Sequence, residues 1–120
     1  MAAKVNLQEQ FGRFDDHWSP KIVASINDYD VKVVKVRGEF VWHQHDDTDE
    51  LFLVITGRLH IHLQDHDDVV LSAGELFVVP QGVRHCPVAA EETHLVLLEP
   101  RETVNTGDAE LAGTVGERLD

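Results

Sequence analysis

From Lys21 to Glu99 the chain is a succession of short runs rich in β-branched and aliphatic residues, each closed by Gly, Pro, Asp or Asn. KIVASI, VKVVKVRG, FVWHQH, ELFLVIT, RLHIHL, VVLS, ELFVVP, RHCPV and THLVLLE follow one another, and no long stretch among them shows helical periodicity. Branched side chains pack well on a pleated surface, and closely spaced turn residues leave no room for crossover helices. The pattern predicts an all-β fold, an antiparallel sandwich or barrel. VKVVKVRG alternates except at the adjacent Val33 and Val34, where a β-bulge would absorb the break. Residues 1–20 read as a polar N-terminal extension with one short helix near Leu7–Phe14, ended by Ser19-Pro20. The barrel is expected over 21–100. The tail, 101–120, is polar and glycine-containing, and is predicted to be loosely ordered or to pack on a partner chain.

The 120 residues suffice for one domain with one modest core. A net charge of −12, with no run of Lys or Arg, argues against nucleic acid as a partner, because phosphate-backbone binding requires basic patches. No apolar run approaches the ~20 residues of a membrane span. The N-terminal residues show no apolar signal region, and the single Cys86 cannot form an intrachain disulfide. These features lead to the expectation of a cytoplasmic protein.

The chemistry concentrates in WHQHDDTDE, residues 42–50. In an extended chain His43 and His45 project to the same side, ~6.7 Å apart. Val41 shares that side, and Trp42 and Gln44 take the other. After a tight polar turn at 46–49, Glu50 opens the next strand and can return beside His45. A third imidazole, His85, follows the turn residues Pro80 and Gly82. Three imidazoles and one carboxylate suit one divalent transition metal, Mn, Fe, Co, Ni or Zn. Four ligands on an octahedral ion leave two positions for water or substrate, the mark of a reactive rather than a structural site.

Gly38, EFVW, His43-Gln44-His45, DDTD, Glu50, LFLVIT, Gly57 resembles the first motif of the cupin family. Gly74, ELFVV, Pro80-Gln81-Gly82, VR, His85, CPV, Ala89 resembles the second. Two departures stand out: a spacer of four residues after Gly38, where five is commoner, and Ala89 in the place of a terminal Asn. The resemblance implies that His43, His45, Glu50 and His85 bind metal. It also implies a small single cupin barrel of jelly-roll type, with two antiparallel sheets, usually dimeric. Asp49 is the rival carboxylate, since the family also allows a three-residue gap, but only Glu50 keeps six residues before Gly57. Family members with such a site include dioxygenases, decarboxylases, sugar-ring isomerases and lyases. The resemblance therefore implies a metal-dependent enzyme acting on a small molecule; no catalytic residue beyond the ligands is identifiable. The alternative is a non-catalytic module that binds a sugar or another small molecule.

Phe52 and Val54 share the parity of Glu50 and, with Val41, are predicted to line the pocket. Cys86 is turned away from the metal by parity and is expected to be buried. His60 and His62 form a second His-x-His that should face outward, because Leu59, Ile61 and Leu63 take the apolar side. His66 is expected in a turn and His94 on the surface; His17 receives no role. Trp42 is expected outside the barrel or at a dimer contact. Arg37 and Arg84 are expected at the surface, with an anionic substrate as their alternative partner. An exposed edge strand suggests a homodimer.

Overall fold

The computed structural model describes residues 3–120. Its elements are α1 (Leu7–Phe11), β1 (Lys21–Ile26), β2 (Tyr29–Glu39), β3 (Glu50–Thr56), β4 (Arg58–Leu63), β5 (Val69–Ser72), β6 (Leu76–Val79), β7 (His85–Pro100) and β8 (Glu117–Arg118). Turns are tight where the sequence supplies turn residues. Asn27, at φ 53°, helps reverse β1 into β2. Gly57, at φ 95°, is the single residue between β3 and β4, and a Cβ there would collide with Thr93.

The strands roll into a barrel around β7. Along one edge β7 pairs with β2 from Tyr29 to Glu39; along the other it pairs first with β4, through His85–Val88, and then with β3, through His94–Leu98. Outer strands complete the order β5-β4-β7-β2-β1-β8, with β6 on β3. All these pairings are antiparallel except β1 with β8.

Three details differ from the reading of the sequence. RHCPV and THLVLLE are two ends of one strand, because β2 holds both halves of β7 in a single ladder that shifts register between Val36 and Gly38. FVWHQH is not a strand. Its one ladder contact is the His43–His85 bridge, and two further N–H groups bond elsewhere, Phe40 to the Pro87 carbonyl and Gln44 to the Asp108 carboxylate. No bulge lies at Val33-Val34; the β1–β2 irregularity falls at Val23 instead. The alternation of β2 fails because both of its faces are covered.

Inside the barrel Val34, Val36, Phe52, Val54, Leu59, Ile61, Leu63, Leu95 and Leu97 form the main core. Outside, Val33, Val23 and Val96 are covered by Phe11 of α1, with Leu7 and Phe14 beside it. This cover also corrects the surface placement of His94, whose ring stacks on Phe11 at 4.5 Å and is half-buried. The tail folds back on its own barrel. Thr106 is buried, Asn105 donates to the Trp18 carbonyl (2.9 Å), and β8 pairs with β1 of the same chain.

Candidate metal centre

Backbone bonds assemble the site before any ion is considered. His43 and His85 exchange reciprocal N–H···O bonds of 2.9 and 2.8 Å, so the two motifs are joined at their histidines. The Pro80–Gly82 turn is fastened to the first motif by Gly82 N–H to the His45 carbonyl (2.9 Å) and by Gln81 N–H to the Asp49 carboxylate (2.8 Å). Asp49 is thus an exposed turn cap, and the carboxylate that joins the histidines is that of Glu50.

His43, His45, Glu50 and His85 are all buried, and their ligand atoms lie within 4.8 Å of one another. Glu50 Oε1 stands 3.4 Å from His45 Nε2 and 3.5 Å from His85 Nε2. These gaps exceed a good hydrogen bond. They are close to the spacing of ligands on one ion, where bonds of about 2.1 Å set neighbouring donors about 3 Å and opposed donors about 4.2 Å apart. His45 Nε2, Glu50 Oε1 and His85 Nε2 have no hydrogen-bond partner although buried. Unsatisfied buried polar atoms are costly, and three aimed at one point fit a cation. The ring tautomers agree. His43 Nδ1 donates to the Val41 carbonyl and His85 Nδ1 to the Val83 carbonyl, both at 2.9 Å, so each Nε2 keeps a free lone pair. The donor set and its geometry fit a divalent transition metal.

Electrostatics acts on the ligands in different directions. Burial, with His85 nearby, lowers the pKa of His43 to about 4, so its ring is neutral. Burial also opposes charge on His45, but the adjacent Glu50 carboxylate outweighs it and raises His45 above its usual value. Burial alone would raise Glu50; contacts with Glu99, His45 and His85 overcome that and hold it well below the ordinary carboxylate range.

Two spaces flank the ligands. An open polar cleft of about 680 Å³ runs between residues 44–48 and 100–108, with His45 on its wall. On the His43 and Glu50 side lies an apolar chamber walled by Val34, Val36, Phe40, Phe52, Leu95 and Leu97, with a free volume of only about 30 Å³. Phe52 lines it; Val54 lies in the core, and the Val41 carbonyl accepts from His43 Nδ1. Trp18 closes the chamber, its indole stacked on Phe40 at 4.6 Å and its Nε1 donating to the Arg37 carbonyl (2.9 Å). Trp18 holds φ 58°, a region a bulky residue rarely enters. Asn105 locks it from the tail, and Gly107 packs so tightly on Gln44 and His43 that any side chain there would clash.

The remaining candidates lie outside the centre. Cys86 is fully buried, points away from the ligands, and has its thiol raised to about 11, first by burial and then by Glu39. His60 is exposed, and His62 Nδ1 donates to the Asp68 carboxylate at 2.7 Å with Trp42 stacked over the ring. His66 sits in a turn, and His17 pairs with Glu92. Arg37 and Arg84 line neither space. Ala89 is fully buried in the apolar core, surroundings that suit a methyl group better than an amide.

The sequence reading missed Lys32 and Glu99. Both are completely buried, 2.8 Å apart, and Glu99 touches Glu50. A signal was present: Lys32 is in phase with Val34 and Val36, and Glu99 with Leu95 and Leu97, so two opposite charges occupy inward positions of core strands.

A barrel carrying three histidines and a glutamate on these two motifs defines a cupin. Residues 31–101 match the cupin domain, and the chain belongs to that family. Among solved structures it is similar to a cupin-2 domain protein from Shewanella frigidimarina NCIMB 400, 49% identical, with a TM-score of 0.79 over 81% of this chain and 94% of that one. Among curated proteins it is 38% identical to the uncharacterised protein YdbB of Bacillus subtilis (strain 168) over 52% of this chain and 56% of that one. It is 29% identical to 3-hydroxyanthranilate 3,4-dioxygenase 2 of Aspergillus fumigatus over 68% of this chain and 45% of that one. The chain thus spans about half the length of these two curated relatives.

Proposed function

We propose that this cupin is a mononuclear metal enzyme acting on a small organic molecule, with His43, His45, Glu50 and His85 as the ligands. The observation that carries the reading is the convergence of three partnerless buried donor atoms, beside a His43 Nε2 freed by the Val41 carbonyl. A divalent ion held there supplies Lewis-acid chemistry, or oxygen activation if it is iron. The chain's own part is to hold His43 neutral, to orient the His43 and His85 rings through the Val41 and Val83 carbonyls, and to keep water from the chamber side through Trp18, Phe40 and the core leucines. The similarity to a 3-hydroxyanthranilate dioxygenase makes ring-opening oxygenation of a small aromatic the first chemistry to test; isomerase, lyase and decarboxylase chemistry follow. A free volume of about 30 Å³ holds water rather than an organic ligand, so a substrate using the apolar chamber displaces the Trp18–Asn105 cover. A homodimer and a cytoplasmic setting belong to the same proposal. The exposed Val70 on β5 and Leu76 and Val78 on β6 supply apolar surface for pairing, and a monomer mass by light scattering would remove that part.

The test is metal content by plasma mass spectrometry on protein purified without chelator, beside His43→Ala/His85→Ala, followed by oxygen-uptake and substrate screens on the loaded protein. Near one equivalent of a transition metal, lost in the double variant, with turnover of any tested substrate, supports the reading. Protein that takes up no metal but still binds a small molecule overturns it in favour of a binding module.

A further inference from the structure

The barrel interior contains a buried chain of charge that no ligand motif includes. Glu99 lies on β7 between β2 and β3. Continuing the Leu51–Leu98 register by one residue sets Glu99 opposite Glu50, and Glu99 pairs with Asp30 on its other side, diagonal to Lys32. Lys32 Nζ is 2.8 Å from Glu99 Oε1 and donates to the Thr103 carbonyl at 3.1 Å. Lys32 and Glu99 are 0% exposed and Glu50 is 4% exposed.

Lys32, Glu99 and Glu50 set one amino group and two carboxyl groups side by side in an interior closed to water, where each needs a polar neighbour. Stability does not explain the set, since well-packed apolar residues would fill the same volume at equal or lower cost. What the set accomplishes is directional. A carboxyl group packed behind Glu50 limits the rotation of its carboxylate, whose Oε1 lies 3.4 Å from His45 Nε2 and 3.5 Å from His85 Nε2.

We propose that Lys32 and Glu99 are positioning residues for the metal centre: Lys32 fixes Glu99, Glu99 fixes the Glu50 carboxylate, and the Lys32–Thr103 bond ties this relay to the root of the C-terminal tail that covers the site. The inference rests on the metal reading above. It assigns to two core residues a role in metal affinity, and makes the tail part of the same device. Loss of such an outer partner typically weakens metal binding roughly 10–100-fold.

Cobalt(II) is the probe, with affinity measured by chelator competition and ligand geometry by the visible absorption of the bound ion. The variants are Glu99→Gln, which keeps a donor beside Glu50, and Glu99→Leu/Lys32→Met, which removes the relay without stranding a buried charge. Expected are near-parental affinity and spectrum for Glu99→Gln. The double variant, folded by circular dichroism, should bind at least tenfold more weakly with an altered spectrum. Binding within twofold and an unchanged spectrum in the folded double variant would overturn the positioning role while leaving the metal reading intact. If the double variant does not fold, Lys32→Met/Glu99→Gln takes its place and is judged by the same two limits, with loss of affinity expected because the amide is no longer held by Lys32. Failure of the parent itself to bind cobalt, zinc or iron would overturn the metal reading and this inference together.

Discussion

Burial holds His43 at a pKa of about 4, while in the unfolded chain the ring titrates near the ordinary histidine value of 6.5. Between those values the unfolded state takes up a proton that the folded state refuses, so this contribution is complete above pH 6.5 and is lost as the pH falls toward 4. The difference corresponds to about 3 kcal/mol. Glu99, raised well above its ordinary value chiefly by burial and then by Glu50, works with the opposite sign once the pH exceeds 4.5. The comparison that isolates His43 is therefore metal-free parent against His43→Leu, which share Glu99. Urea midpoints should show the parent losing stability relative to the variant between pH 7 and pH 4. A difference that stays constant across that range would contradict the burial argument. His45 adds no slope below pH 6.5, because its pKa is raised and both states are then protonated.

At the scale of elements, the β3–β4 reversal through one residue is the tightest constraint in the barrel. Gly57 combines φ 95° with a direct approach to Thr93, whereas Gly74, at φ 85°, faces open space. Gly57→Ala should cost about 2–3 kcal/mol, from backbone strain and crowding together, and Gly74→Ala about 1 kcal/mol from strain alone. Urea unfolding of both checks this; equal costs would show that Thr93 yields freely. The strand pattern was legible in the sequence because parity is local. The limits of that parity are visible at β2 and at residues 40–45. Val33 and Val34 can both be buried because a helix and an N-terminal segment cover the outer face. His43 and His45 reach one centre without a strand between them, because the bridge to His85 and the bond from Gly82 fix the backbone instead.

Across the whole molecule, metal, barrel and tail should behave as one folding unit. An ion bound only by the folded state stabilises it by about 4 kcal/mol at a thousandfold excess over its Kd. Thermal scans with and without cobalt should then differ by roughly 10 °C or more. Truncation after Thr103 removes the Asn105–Trp18 lock and the Asp108–Gln44 contact. The truncated protein should show a smaller cobalt-induced gain in Tm and a red-shifted tryptophan emission as Trp18 becomes wet. An unchanged gain and emission would show that the tail only decorates the barrel.

The sequence by itself determined the all-β class, the two cupin motifs and the four candidate ligands, because those depend on residue type and short spacing. It also favoured Glu50 over Asp49 through the count to Gly57; in the fold the Asp49 carboxylate accepts from Gln81 N–H. Only the tertiary structure decided that Lys32 and Glu99 meet 67 positions apart in the core, that Asn105 reaches back to Trp18, and that the tail closes over His43. Those contacts join residues whose local sequence has no preference for one another. They exist because curling the strands around β7 leaves one interior, in which every buried charge must find its partner wherever the chain happens to bring it.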